Sequence, residues 1–88
     1  TGWVDWNLAL DTTGGPTYLK NYLDSAIIIN ATAQEFYKQP MFYAFAHVSK
    51  FVPPGSRRIL LRTSTNTSIE SVAFLRPDNI VAVVLLNR

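Results

Sequence analysis

The sequence has no cysteine, one methionine and one histidine among its 88 residues. The lack of cysteine excludes a disulfide-stabilised scaffold, so packing alone must hold the fold. The single histidine, His47, has no second imidazole or thiol to accompany it, which argues against a zinc site and favours a packing or surface role. No Gly-rich phosphate loop and no Ser-His-Asp set is present. We therefore expect neither a metal nor a cofactor.

Long hydrophobic runs and clustered charge are also missing. No apolar run approaches the roughly 20 residues of a membrane span, and no signal peptide opens the chain. The eight basic and six acidic residues give a net charge of +2, and Arg57-Arg58 is the only adjacent basic pair. This pattern excludes a stripe of basic residues that would bind nucleic acid and a polybasic patch that would bind a membrane. A hydrophobic content of 48% argues against disorder, and the length allows at most one small domain.

The stretch Gly2–Asn7 is where binding chemistry is most concentrated. It holds two tryptophans, a carboxylate and an amide within a few residues. A flat ring covers the C–H face of a sugar while neighbouring polar groups take its hydroxyls, as in carbohydrate pockets. The alternative is a core strand with two large aromatic side chains. Strand alternation over 2–7 would place Trp3, Asp5 and Asn7 on one face and Trp6 on the other.

The stretch that follows combines a turn with extended segments. Asp11–Pro16 is rich in turn residues, and Leu8–Leu10 and Tyr18–Leu19 flank it as extended segments. The run Ile27–Ile29 has high strand propensity and is too short for a helix. Residues 32–35 favour one helical turn instead. We predict a loop between strands here.

One helix is predicted over 40–52. It begins at Pro40, a residue that suits the first helical position, and Pro53-Pro54-Gly55 ends it. Apolar residues at helical spacing form one stripe, which is typical of a core face: Met41, Phe45, Val48 and Val52.

Beyond Gly55 the apolar pattern changes to that of strands. Three strands are predicted, at Ile59–Thr65, Ser71–Leu75 and Ile80–Leu86. The turns Thr65–Ser68 and Arg76–Asn79 are of the kind that joins antiparallel strands. The second part of the chain is therefore predicted to be an antiparallel meander.

The order and spacing of several stretches resemble glycoside hydrolase family 30, and within it the members that hydrolyse glucosylceramide. The resemblance covers essentially the whole chain and is carried by five stretches: Gly2–Leu10, Gly14–Pro16, Lys20–Ser25, Phe36–Tyr43 and His47–Phe51.

The resemblance implies an α+β fragment of a longer enzyme. Residues 1–54 would be the end of a (β/α)8 TIM barrel, with its last strand at 2–7 and its last helix at 40–52. An antiparallel β segment would be inserted at 8–38, and residues 55–88 would begin a β-sandwich. The apolar strand Ile80–Leu86, which no turn or cap follows, agrees with the expectation of an excerpt.

The resemblance also implies which residues meet the sugar. Trp6 would line the glucose pocket at the C-terminal mouth of the eighth barrel strand, where barrel enzymes place their active sites. Asn21 would contact the sugar from the pocket rim, although as a residue type it could equally be an ordinary loop amide. Trp3 and Asp5 would belong to the barrel wall, with Asp5 as a buried, hydrogen-bonded carboxylate. Enzymes of this class often have a cis peptide after the tryptophan that ends the strand, which here is the Trp6–Asn7 bond.

No catalytic residue is assigned to the chain. A retaining glycosidase needs two carboxyl groups about 5 Å apart, one acid/base and one nucleophile. In the family both are glutamates on the fourth and seventh barrel strands, upstream of these residues, and no carboxylate here matches their motifs. We therefore expect the isolated chain to be inactive. The carboxylates present are Asp5, Asp11, Asp24, Glu35, Glu70 and Asp78.

The implied function is that of a retaining β-glucosidase that hydrolyses glucosylceramide to glucose and ceramide, in the lysosome or secreted. The resemblance implies that the full enzyme can have a membrane surface and a saposin-type activator as partners. It implies no nucleic-acid partner. Asn30 and Asn66 each open a sequon and are candidate acceptors of N-linked glycans. Two alternatives stay open: another family 30 glycosidase acting on a different β-linked sugar, and a non-enzymatic carbohydrate-binding module, which must fold alone.

Overall fold

The computed structural model of the protein describes residues 2–66 and 68–88. The chain folds into two compact units, Thr1–Phe45 and Ala46–Arg88. In chain order the elements are β1 Ala9–Asp11, β2 Ile27–Asn30, β3 Glu35–Lys38, α1 Pro40–Ser49, β4 Arg57–Ile59, β5 Ile69–Leu75 and β6 Val81–Asn87.

The first unit contains a three-stranded sheet in the order β1-β2-β3. The strands β2 and β3 form an antiparallel hairpin in which Asn30 lies opposite Glu35. The strands β1 and β2 are parallel, with Ala9 opposite Ile27. The prediction of an entirely antiparallel insertion was therefore wrong at this pair. Residues 12–26 separate the two strands, which is long enough for the crossover that a parallel pair requires.

The hairpin between β2 and β3 turns through residues 31–34. The backbone N–H of Gln34 donates to Ala31 O at 3.2 Å, and Gln34 has a left-handed φ of 54°. The Asn30 side chain supports the turn, because its Oδ1 accepts the Ala33 N–H at 3.2 Å. The predicted helical turn at 32–35 is wrong, since Glu35 already pairs with Asn30 in the sheet.

Ser25 lies at the centre of the first unit and is fully buried. Its hydroxyl donates to Ile27 O at 2.6 Å, and Gln39 Nε2 donates to Ser25 O at 2.8 Å. Leu10, in the neighbouring strand, is also buried. The insertion thus has a small core in which hydrogen bonds satisfy the buried polar groups.

Residues 2–7 form no strand in the described structure, so the strand predicted there is absent. A barrel strand needs hydrogen-bonding neighbours on both sides, and none of the paired strands includes these residues. The predicted cis bond at Trp6–Asn7 is also wrong, because Gly15–Pro16 is the one cis peptide among residues 2–66 and 68–88. A non-proline cis bond requires surroundings that enforce it.

The helix α1 begins at Pro40, as predicted, and ends at Ser49, three residues before the predicted end at residue 52. The chain keeps helical hydrogen bonds a little further, since Lys50 N donates to Ala46 O at 3.1 Å and Val52 N to Val48 O at 2.9 Å. No residue of the helix is buried. The apolar stripe is therefore not covered within the described residues, and none of their helices is long and apolar enough to cross a membrane.

The second unit contains the predicted antiparallel meander, in the order β4-β5-β6. The turn between β5 and β6 forms where it was predicted, with Arg76 N donating to Ile80 O at 2.9 Å and Asn79 N to Arg76 O at 3.0 Å. At the centre of the sheet Ala73 is 2% exposed.

The first strand of the meander was predicted wrongly. It covers Arg57–Ile59 rather than Ile59–Thr65. The strand is short because only Leu75, Phe74 and Ala73 of β5 pair with it. The predicted turn Thr65–Ser68 includes Thr67, which lies outside the described residues.

Candidate functional site

The loop that follows β1 is organised by the carboxylate of Asp11. Its Oδ1 accepts the Thr13 N–H at 2.8 Å, the Thr13 hydroxyl at 2.7 Å and the Gly15 N–H at 2.9 Å. The hydroxyl of Thr13, followed by the backbone N–H of Gly15, holds the pKa of Asp11 below its ordinary value. These bonds confirm that Asp11 serves its own turn, as expected for Asp in a Gly-rich loop.

A second contact closes the loop at its base. Leu23 N donates to Gly14 O at 3.1 Å, and Gly14 has a left-handed φ of 85°. A Cβ at Gly14 would lie 2.4 Å from Leu23 O, so only glycine fits there. We call residues 14–23 the pinched loop, because its two ends are held together by this contact.

Asn21 lies in the pinched loop, and its side chain is held by Thr17. The Thr17 hydroxyl donates to Asn21 Oδ1 at 2.6 Å and accepts the Leu19 N–H at 3.2 Å. Lys20, directly before Asn21, has a left-handed φ of 57°. Asn21 is exposed, and its Nδ2 has no hydrogen-bond partner among the described residues. The site therefore offers an oriented amide donor to the exterior.

Trp6 also presents its side chain outward, at 85% exposure. Asp5 Oδ1 accepts the backbone N–H of Trp6 at 2.9 Å, which fixes the local backbone. Asp5 is itself exposed, so the expectation of a buried carboxylate is wrong for this structure. The physical reason is that no described residue covers the Asp5 side chain.

Trp3 differs from Trp6 because its ring has a partner. The rings of Trp3 and Phe45 meet edge to face, with centroids 6.4 Å apart and planes at 62°. Phe45 belongs to α1, so the contact joins the start of the chain to the helix. This arrangement is the usual one for aromatic pairs; the wall role of Trp3 stays a prediction.

The residues predicted to meet the sugar do not line a common cavity in the described structure. A shallow, open depression of the first unit has a volume of about 370 Å³ and is bordered by side chains that include Leu8, Ile27 and Phe36. Neither Trp6 nor Asn21 borders it. Trp6 and Asn21 are thus two exposed side chains that border no common cavity among the described residues.

The remaining carboxylates serve local structure. Asp24 Oδ1 accepts the Ser25 N–H at 2.9 Å, and Glu35 Oε2 accepts the Tyr37 hydroxyl at 3.0 Å. Glu70 pairs with Arg88. Asp78 pairs with Arg76 at 2.7 Å, and that side chain lowers the pKa of Asp78.

No cluster of three His, Asp or Glu side chains suited to a metal occurs among residues 2–66 and 68–88. His47 is exposed on α1. At the sequons, Asn30 Nδ2 donates to the Tyr37 hydroxyl at 3.3 Å, whereas the sequon of Asn66 includes Thr67, outside the described residues.

Thr17 is the residue that sequence reasoning missed. It was not singled out because a Thr four residues before an Asn is no recognised motif. Lys20, between the two residues, has a left-handed backbone. Because a lysine seldom adopts this conformation, the sequence does not predict it.

Two family models match consecutive parts of the chain. Residues 1–52 match the glycosyl hydrolase family 30 TIM-barrel domain, and residues 55–88 match the glycosyl hydrolase family 30 beta sandwich domain.

Individual relatives match across the whole length. The chain is 54% identical over 88 residues to "Lysosomal acid glucosylceramidase" of Mus musculus and 50% identical over 88 residues to "Putative glucosylceramidase 3" of Caenorhabditis elegans. It spans 17% of the length of each. The crystal structure of SrfJ from Salmonella typhimurium is similar, with a TM-score of 0.88 and 32% identity over 96% of this chain and 19% of that one. The chain belongs to glycoside hydrolase family 30.

Proposed function

We propose that these residues are part of a retaining β-glucosidase that hydrolyses glucosylceramide to glucose and ceramide. The observation that carries the proposal is the 54% identity to mouse lysosomal acid glucosylceramidase across all 88 residues. The two domain matches follow each other along the chain in the barrel-then-sandwich order. Because the chain spans 17% of that relative, the catalytic carboxylates are assigned to the rest of the enzyme.

We further propose that the chain passes from the barrel domain, 1–54, to the sandwich domain, 55–88. The family matches support this boundary because one ends at residue 52 and the other begins at residue 55. The sequence at the boundary, Pro53-Pro54-Gly55, is unsuited to continuing the helix. Gly55 adopts a left-handed φ of 84°, which turns the chain toward β4.

Within this enzyme the chain binds substrate rather than cleaving it. Trp6 supplies an exposed indole face suited to the C–H face of glucose. Asn21 supplies an amide N–H that can donate to a sugar oxygen. In the retaining reaction the sugar passes through a covalent intermediate on one carboxylate while a second acts as acid and then as base. Holding the sugar ring in place keeps the anomeric carbon aligned for both steps.

The cellular setting follows from the same proposal. Ceramide is a lipid, so the full enzyme is placed at a membrane surface, with a saposin-type activator as its partner. The lysosomal relative supports a route through the secretory pathway. On that route Asn30 and Asn66 are proposed acceptors of N-linked glycans.

The proposal is tested by assaying the full-length protein on glucosylceramide and on a panel of aryl β-glycosides. We expect release of glucose and ceramide, with the β-anomer of glucose appearing first by NMR. Preferential release of another sugar would favour a different family 30 glycosidase. Binding of β-glucosides without hydrolysis would favour the carbohydrate-binding module. The isolated 88-residue chain is the matched control and should release nothing.

A further inference from the structure

We propose that Thr17 is a positioning residue that fixes the side-chain amide of Asn21 as a hydrogen-bond donor toward the sugar. The inference rests on the proposed function, because it assumes that Asn21 meets the substrate. It adds the contact that orients this amide toward the sugar, and it assigns a role to a threonine that belongs to no sequence motif.

The hydrogen bonds around Thr17 determine which way the amide faces. The hydroxyl accepts the Leu19 N–H at 3.2 Å, so its own proton is directed to Asn21, whose Oδ1 lies 2.6 Å away. A hydroxyl has one proton to donate, and the amide oxygen is the acceptor of the Asn side chain. The oxygen of Asn21 is thereby turned into the loop, and Nδ2 is left facing outward.

The backbone of the pinched loop keeps the two side chains together. Lys20, between them, has a φ of 57°, a conformation that side-chain-bearing residues rarely adopt. At the base of the loop Leu23 N donates to Gly14 O at 3.1 Å. A non-glycine residue held in this conformation, within a loop closed at its ends, is the kind of local strain found where a loop places a functional group.

The consequence is a site that favours acceptor atoms. With its oxygen held by Thr17, Asn21 presents the two N–H groups of Nδ2 to a ligand. A sugar hydroxyl oxygen accepts such a bond, and so does a hydroxyl of an iminosugar. Without Thr17 the amide would rotate freely, and ordering it would become a cost of binding. We therefore expect loss of the Thr17 hydroxyl to weaken binding about three- to tenfold, the range for one neutral hydrogen bond.

The test uses the full-length enzyme with Thr17→Val, which keeps the shape of the side chain and removes the hydroxyl. Steady-state kinetics on an aryl β-glucoside should show a raised KM, and deoxynojirimycin a raised Ki, by the same factor. The value of kcat should change little, because binding is lost equally from the ground and transition states. Thr17→Ser keeps the hydroxyl and should restore most of the affinity. A fall in kcat with unchanged KM and Ki would overturn the inference.

The variant Asn21→Ala separates this inference from the proposed function. If Asn21→Ala changes neither KM nor Ki, the substrate-binding role of Asn21 fails, and the Thr17 inference fails with it. If Asn21→Ala weakens binding and Thr17→Val does not, only the Thr17 inference is overturned. In the double variant the effect of Thr17→Val should vanish, because a group that acts through Asn21 cannot act without it. Additive losses would contradict the inference.

The variant Asn21→Asp tests the donor role of Asn21 where Thr17→Val yields no folded protein. Asn21→Asp still accepts the Thr17 hydroxyl but has no N–H to donate when ionised. It should therefore keep the melting temperature of the wild type while raising KM and Ki. Unchanged KM and Ki in this variant would overturn the assignment of Asn21 as a donor.

Discussion

The backbone oxygen of Gly14 accepts the Leu23 N–H at 3.1 Å, and a Cβ at Gly14 would lie 2.4 Å from the Leu23 oxygen. This contact closes the pinched loop and so fixes the place of Asn21. Gly14→Ala should cost about 2–5 kcal/mol in the full-length enzyme, because a left-handed alanine costs about 1–2 kcal/mol and the clash adds about 1–3 kcal/mol.

A matched control for this substitution is Gly55→Ala. Gly55 has nearly the same φ, 84°, but a Cβ there would meet only Pro77 Cγ at 3.4 Å. Thermal melts should therefore show a loss of about 1–2 kcal/mol for Gly55→Ala. Equal losses in the two variants would mean that the contact between Gly14 and Leu23 does not restrict the loop.

The carboxylate of Asp11 makes the stability of the loop depend on pH. Its pKa lies below the ordinary value of 3.8, chiefly through the Thr13 hydroxyl and then the Gly15 N–H. A lowered folded-state pKa gives stability that is present above the unfolded pKa and is lost as pH falls through the folded pKa. Asp11→Ala should thus lower the melting temperature at pH 5 to 7, and the difference should shrink below about pH 3.8. A difference that stays constant down to pH 3 would show that the charge of Asp11 contributes nothing.

The isolated 88-residue chain is expected to aggregate or to stay poorly folded. The buried apolar side chains among the described residues are Leu10 and Ala73. Alternate residues of β6, Val81, Val83 and Leu85, are exposed along one strand face. A core of this size does not offset the conformational entropy of folding, and the open strand invites pairing with other chains. A soluble monomer with a cooperative thermal transition would contradict this expectation.

The sequence predicted best those elements that local signals define. Pro40 and a helical stripe located the start of α1. Turn residues at Arg76–Asn79 located the hairpin between β5 and β6, where Asn79 adopts the left-handed φ of 63° that asparagine tolerates. In each case the signal lies within the element itself, so neighbouring parts of the chain were not needed to find it.

Features that depend on distant partners were not predicted. The parallel pairing of Ala9 with Ile27 leaves no periodic trace in the sequence. The short strand Arg57–Ile59 is defined by its partner in β5 rather than by its own pattern. The same holds for the candidate site. Trp6 and Asn21 were proposed through the family resemblance, whereas the contact of Thr17 with Asn21 was found only in the structure.

Asn79 allows a test of how the turn chemistry stabilises the sandwich meander. Asn79→Gly should be neutral within about 0.5 kcal/mol, because glycine adopts a left-handed φ readily. Asn79→Val should cost about 1–2 kcal/mol, since a β-branched residue is strained there. Urea denaturation of the full-length enzyme measures both. Equal stabilities of the two variants would mean that the φ of Asn79 is not enforced.

The central claim, that this stretch of chain contributes to the sugar pocket, is tested most directly by comparing Trp6→Ala with Trp3→Ala in the full-length enzyme. Trp6 is 85% exposed and has no ring partner among the described residues, whereas Trp3, although 75% exposed, meets Phe45 edge to face. The measurement is kcat/KM on glucosylceramide beside the melting temperature. We predict that Trp6→Ala lowers kcat/KM at least tenfold, about 1.4 kcal/mol, with little change in melting temperature, and that Trp3→Ala shows the reverse. A large fall in melting temperature for Trp6→Ala with nearly unchanged kcat/KM would assign Trp6 to the core and contradict the account.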